Sequence, residues 1–364
     1  MRFLAGPGSG PNARRCSAPP KRTMVLLGNS PSRELIEAAD EGRAPRADYV
    51  DLARALDADL VSHEGRLIPP LAALAGRAPL LASSLAAFLE QRRYNAIYVT
   101  GEDLGLRLAP LLRLSGWEGR LVVVVHACVS ARRRLLLRTF ADTFSALICV
   151  SEAQQQILVR GVGLPPEKVH VVRDWVDADF FAPSTWPPPE PDEPFAFACG
   201  LEQRDYPTLL AAATLSPHAV RIAASGYHGV SAAPAQPPRN VRFQWRRIPY
   251  PDLRRAYETC RLVVLPLHRA EYAAGVSGLL EAMAMGKPVV ATASRGLAEY
   301  LRGGACGRIV PAGDASAMAA AIDELWEAPE ERLEIGLGNR AWVKANASLP
   351  TYIRRAANLV RPPG

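Results

Sequence analysis

The chain has 364 residues, 49% of them hydrophobic and 22% charged, and a formal net charge of +7. That is the composition of a globular protein long enough for two domains of ordinary size, and no apolar run approaches the ~20 residues that a membrane helix needs. Residues 1–23 hold Arg2, Arg14, Arg15, Lys21 and Arg22 and no acid, which leaves only +2 for the rest and argues against a nucleic-acid partner.

Residues 1–23 are rich in Gly, Pro and Arg without periodicity and are expected to form a disordered basic tail. No apolar h-region follows, so a signal peptide is not expected. The run Val25-Leu26-Leu27-Gly28 after Met24 is the first strand-like stretch. Asn29-Ser30-Pro31-Ser32 comes next as a polar turn, at the edge that faces the binding crevice in an open α/β sheet. Apolar residues at helical spacing mark 48–57 and 79–92. Residues 95–99 read as a strand that leads through Thr100-Gly101-Glu102-Asp103 into a helix ending near Leu114. Residues 121–125 suit a covered parallel strand ending in His126, and 146–150 suit another, followed by the helix start Ser151-Glu152. Residues 182–194 include six prolines and are expected to be an extended, stiff linker. Beyond it, 195–199, 220–224, 241–245, 262–266 and 289–292 read as strands, 230–239 as a loop, and Ala-rich helices dominate from Asp314 onward. The alternation predicts two α/β domains with parallel sheets. Six cysteines, Cys16, Cys128, Cys149, Cys199, Cys260 and Cys306, form no CxxC pair, which fits buried thiols in a reducing cytoplasm.

The stretch 275–292 organises the second half. Gly275 and Gly278 allow the backbone close to a ligand, and Ser277 is expected to cap a helix whose free N–H groups and positive dipole end suit a phosphate. Glu281 lies one turn further on the same face and can accept two hydrogen bonds from a ribose diol. Gly286-Lys287-Pro288 ends the helix. The run from Gly275 and Glu281 through Ala282-Met283-Ala284-Met285-Gly286-Lys287-Pro288-Val289-Val290 resembles the donor-binding motif of family 4 glycosyltransferases. That pattern is an acid, seven residues, a second acid, then Ala-Met-Ala-x-Gly-x-Pro-Val-Val. Glu281 stands as the second acid, the first falls on Ala273, and Glu271 is two residues before it. Ile148-Cys149-Val150-Ser151-Glu152, Pro166-Glu167-Lys168-Val169 and Val176-Asp177-Ala178-Asp179-Phe180-Phe181 resemble the same family.

The resemblance implies a GT-B fold, two Rossmann-like α/β domains facing across a cleft. An N-terminal acceptor domain would span 24–182 with a crossover helix at about 347–364, 183–194 would be the linker, and 195–346 the nucleotide-sugar donor domain. The implied activity is a retaining glycosyltransferase of the hexosyltransferase type. It would move a sugar from a nucleotide-diphosphate donor to a lipid-linked, glycan or natural-product hydroxyl, with no metal or other cofactor. The donor would be held by the amides of Gly275, Val276, Ser277 and Gly278, by Glu281 on the ribose, and by Arg204, whose cation in the turn 200–206 would stabilise the leaving diphosphate. An ion pair of Arg204 with Asp205 or Glu202 is the alternative. His126 would hydrogen-bond the donor sugar, since imidazole both donates and accepts, or be a satisfied histidine near the core. Glu102 and Asp103 would orient or deprotonate the acceptor, or cap a helix. Arg132, Arg133, Arg134 and Arg138 beside Leu135, Leu136, Leu137 and Phe140 would form a basic amphipathic patch on the inner membrane face, or a solvated helix face. Two other readings stay open, an inert binding relative, motivated by Ala273, and a nucleotide-sugar epimerase. A dehydrogenase would need G-x-G-x-x-G where residues 28–33 read Gly-Asn-Ser-Pro-Ser-Arg.

Overall fold

The structure is a computed structural model that describes residues 22–29, 32–64, 76–127, 130–188, 191–224, 236–244, 248–303 and 306–361. The chain divides into two compact units, the first comprising Met1–Glu37, Arg46–Val172 and Ile353–Gly364, the second Ala38–Pro45 and Arg173–Tyr352.

In the first unit the elements run β1 (Arg22–Leu26), α1 (Arg33–Asp40), α2 (Asp48–Leu56), β2 (Asp59–Val61), α3 (Pro79–Glu90), β3 (Tyr94–Val99), α4 (Glu102–Leu114), β4 (Arg120–Val125), α5 (Ala131–Thr139), β5 (Ala146–Cys149), α6 (Glu152–Gln156) and β6 (Val169–Val171). The strand order is β2-β1-β3-β4-β5-β6, with every pair parallel. The inner strands β4 and β5 are buried almost throughout, which is why they read as unbroken apolar runs and not as alternating ones. Helix α4 rides directly on β4: a Cβ added to Gly105 would stand 2.6 Å from Val123 Cγ1.

The second unit contains β7 (Ala196–Cys199), α7 (Tyr206–Leu215), β8 (Val220–Ala223), β9 (Val241–Gln244), α8 (Tyr250–Thr259), β10 (Leu262–Leu265), α9 (Val276–Ala284), β11 (Val289–Thr292), α10 (Ala298–Gly303), β12 (Gly307–Val310), α11 (Ala315–Trp326), α12 (Pro329–Asn346) and α13 (Leu349–Val360). Its order is β12-β11-β10-β7-β8-β9, all parallel. Counted from β7 this is 3-2-1-4-5-6 read from one edge, the doubly wound arrangement whose ligands sit beyond the strand ends where the order reverses. Here that point lies between β7 and β10. Residues of α13 from Ile353 onward count with the first unit, where the Leu359 carbonyl accepts from Arg120 Nη2 at 3.1 Å.

Several expectations change. The expected tail ends sooner, because Arg22 and Thr23 already belong to β1; residues 1–21 lie outside the described residues, as do Ser30, Pro31, Cys16, Cys128, Trp245 and most of 230–239. Three strands escaped the reading, β2, β6 and β12. Each has only three or four residues, and each lies at or next to a sheet edge where polar side chains such as His170 and Arg308 interrupt the apolar pattern. The described part of 182–194 is not a free spacer. The Ser184 N–H donates to Glu258 at 2.6 Å, Arg254 holds the Ala182 carbonyl, and the Trp186 ring lies on the bare backbone of Gly286 and Gly336. An indole against two glycines buries apolar area that an extended linker would leave in water. Among the described residues no helix is long and apolar enough to cross a membrane.

Candidate functional site

The loop after β7 and the loop after β10 meet at the switch point of the second unit. Gly200 (φ 92°) and Gln203 (φ 53°) turn the first loop sharply. It is then tied to the second by Asp205 N–H donating to the Pro266 carbonyl (3.0 Å) and His268 N–H donating to the Gln203 carbonyl (2.9 Å). Asp205 caps α7, accepting from the Thr208 N–H (3.1 Å) and hydroxyl (2.7 Å). Tyr206 donates its hydroxyl back to the Gly200 carbonyl. Between these anchors Arg204 donates from Nε to the Cys199 carbonyl (2.8 Å) and from Nη1 to the Glu202 carbonyl (2.9 Å). The guanidinium is therefore held by main-chain oxygens. Asp205 is occupied as a cap, and Glu202 accepts from the Tyr272 hydroxyl (2.9 Å).

The rest of the guanidinium faces the start of α9. A Cβ on Gly275 would come within 3.0 Å of Nη1, and one on Gly278 within 3.4 Å of Nη2. The N-cap is Gly275, not Ser277: it has φ 83° and makes no side-chain cap bond, while Ser277 sits inside the helix with its side chain exposed. The left-handed turn and the lack of room beside Arg204 both demand glycine there. Val276 N–H is taken by the Ala273 carbonyl (3.2 Å) and Leu279 N–H by that of Gly275 (3.1 Å). The amides of Ser277 and Gly278 have no acceptor among the described residues. The far end closes as foreseen: Gly286 (φ 69°) donates to Met283 and Lys287 N–H to Ala282, each at 3.0 Å, the two bonds of a Schellman end.

Glu281 lies one turn into α9, partly exposed. Its Oε2 accepts from the Tyr257 hydroxyl at 2.8 Å. Burial raises its carboxyl to about 7, against the opposing pull of Tyr257 and of the Arg204 charge. Ala273 is buried, and Glu271 points into solvent, paired with Arg295 at 3.1 Å, so no carboxylate occupies the place of the first motif acid.

In the first unit His126 follows β4 with its side chain exposed. Its Nε2 donates to the Thr100 carbonyl at 3.0 Å, which fixes the ring in place. Glu102, 5% exposed, has both oxygens occupied: Oε2 accepts from His126 N–H (3.0 Å) and Oε1 from Ala127 N–H (3.1 Å). It thus clamps the turn that carries His126. Asp103 forms a two-pronged pair with Arg133, at 3.1 Å from Nε and 2.6 Å from Nη2. That removes Arg133 from the expected basic patch, since its guanidinium folds onto α4 and also donates to the Ala127 carbonyl (3.2 Å). Arg132, Arg138 and the 65%-exposed Leu135 stay outward. Among the described residues no three His, Cys, Asp or Glu side chains gather as metal ligands.

Reading the residues alone missed Tyr257. It is one of two tyrosines in a helix without a motif, 24 positions before the carboxylate it touches, and nothing local marks it. In the sequence Cys199 reads only as a thiol beside an apolar strand. It is also the carbonyl that aims Arg204.

The sequence matches the model of Glycosyltransferase Family 4 over residues 35–180 and that of Glycosyl transferases group 1 over residues 209–328. No curated protein sequence matches. Among solved structures the chain is similar to HepE of Anabaena in complex with UDP and glucose (TM-score 0.63, 17% identity, 93% of this chain and 98% of that one). It is also similar to sucrose-phosphate synthase of Thermosynechococcus elongatus (0.67, 16%, 93% and 98%) and to trehalose 6-phosphate synthase of Burkholderia multivorans (0.62, 13%, 94% and 98%). Likeness at such identity speaks for the fold, and the two family models together span most of the chain. The chain belongs to the glycosyltransferases of the family 4 type, built on the GT-B fold.

Proposed function

We propose that this chain moves a sugar from a nucleoside-diphosphate sugar to an acceptor hydroxyl, with retention at the anomeric carbon. One observation carries the reading: Arg204, fixed by carbonyls, lies against a glycine-only helix start that offers two unpartnered amides, and Glu281 stands one turn deeper. When the bond between the sugar and the diphosphate breaks, negative charge grows on the phosphate oxygens. A preorganised cation and two N–H groups stabilise that charge more than they stabilise the bound donor. The carboxylate of Glu281 suits the ribose diol. Arg204 and the amides supply the positive charge locally, so we propose that transfer proceeds without a metal ion. HepE, solved with UDP-glucose, makes a UDP-sugar the first donor to test. With Ala273 in place of an acid, the sugar ring is left to groups other than that carboxylate. We assign His126, whose ring is held through Nε2 by the Thr100 carbonyl, a hydrogen bond to the donor sugar. Glu102 belongs to this reading as the clamp of that turn and not as the acceptor's base.

The test is a thermal-shift screen with UDP, GDP, ADP and TDP and their sugars, followed by product detection with the donor that binds. Ligand at about a hundred times its dissociation constant adds about 2.7 kcal/mol to stability, a shift of several degrees. A shift that disappears in Arg204→Ala supports the reading. No shift with any of the four nucleotides overturns it.

A further inference from the structure

The donor site has a support that its motif does not contain. Tyr257, on α8, is fully buried, and its ring is fixed edge-on between Phe197 (centroids 5.3 Å apart) and Phe181 (6.0 Å). Its hydroxyl lies 2.8 Å from Glu281 Oε2, 3.0 Å from Cys199 Sγ and 3.5 Å from the Gly278 carbonyl. Cys199 in turn holds Arg204 Nε through its main-chain oxygen at 2.8 Å. The sugar-diol acid and the phosphate cation are thus anchored on one adjoining pair, Cys199 and the buried Tyr257.

We propose that Tyr257 is a positioning residue of the donor site: by donating to Oε2 it fixes the Glu281 carboxylate so that Oε1 alone faces the ribose diol. This rests on the donor reading above and deepens it. A glutamate side chain has three rotatable bonds, and a ligand that must order it loses affinity in doing so. Oε1 has no hydrogen-bond partner among the described residues. One oxygen is therefore spent on the protein and one is kept for ligand. Burial pushes the Tyr257 hydroxyl well above its ordinary range and the Cys199 thiol up to about 11, so both keep their protons at neutral pH and Glu281 is the member of the cluster that ionises there. The Tyr257 hydrogen bond favours the ionised carboxylate against that burial.

The experiment is calorimetric titration of the full chain with UDP, GDP and ADP and with the 2′,3′-dideoxy form of each, in the wild type and in Tyr257→Phe. In the wild type the nucleotide that binds is expected to lose at least tenfold when its diol is removed. In Tyr257→Phe that preference is expected to fall about tenfold, while affinity for the dideoxy form changes less than twofold. The pH midpoint of diol-dependent affinity is expected to move upward, since the bond that favours the anion is gone. On a Glu281→Gln background, Tyr257→Phe is expected to cause no further loss of diol preference, a second measurement that holds even if the single variant is poorly stable. A wild type that binds no nucleotide, or binds both forms alike, overturns the donor reading and this inference with it. A wild type that discriminates, beside a Tyr257→Phe chain that discriminates equally or loses both forms in the same proportion, overturns this inference alone.

Discussion

Replacing Glu281 by Gln separates what the residue does for the fold from what it does for the ligand. Its carboxyl titrates near 7 in the folded protein against an ordinary 4.5, and burial is the chief cause. The sign follows directly. The folded state holds this proton over a range where the unfolded chain has released it, so stability is highest below 4.5, falls as pH rises through 4.5 to 7, and levels off above the folded value. The full interval corresponds to about 3 kcal/mol, and the residue's partial exposure reduces that to about 1–2 kcal/mol. Glutamine keeps an acceptor for the Tyr257 hydroxyl and carries no charge, so Glu281→Gln should equal the wild type near pH 5 and exceed it by about 1–2 kcal/mol at pH 8. Urea denaturation of both chains at pH 5, 6, 7 and 8 measures the difference. The same variant should bind nucleoside diphosphate about tenfold more weakly, because an amide accepts through one atom only. A variant less stable than the wild type at pH 8, or a difference that does not grow with pH, would refute the argument that the binding carboxylate is held in the free protein against its own solvation.

Three further outcomes are expected. Arg204→Ala should weaken nucleoside-diphosphate binding by about 10- to 100-fold, since hydrogen bonds to a charged group are each worth about 1.5–3 kcal/mol, and titration calorimetry reads this directly. Gly275→Ala forces a side chain into φ 83° and to within 3.0 Å of Arg204 Nη1; it should cost about 1–2 kcal/mol by denaturant melt and lower nucleotide affinity together with it. Glu102→Ala strips the acceptors from His126 and Ala127 N–H. It should destabilise the first unit by about 1–3 kcal/mol, and an unchanged denaturation midpoint would show that the clamp is idle.

Much of this protein is written locally. The inner strands β4, β5, β7, β10 and β11 are near-continuous apolar runs because helices cover both their faces, and such runs are visible without any knowledge of neighbours. The end of α9 is likewise local, since Gly286 and Lys287 close bonds to residues three and five positions back. Arg204 and Glu281 could be singled out because each follows a strand at the edge where ligands bind. What could not be read locally is which groups those residues find. Ser277 looked like the cap, yet Gly275 takes that place, because the Arg204 guanidinium, 71 positions earlier, leaves no room for a side chain. Glu102 looked like a reactive acid on a loop, and 24 residues later the chain returns two N–H groups that consume both its oxygens. Arg133 looked like part of a surface patch until α4 brought Asp103 to it. Helix and strand follow from periodicity along the chain. Hydrogen-bond partners follow from which strands the sheet sets side by side, and in the second unit the order reverses at the candidate site, between β7 and β10, so the partners there are distant in sequence.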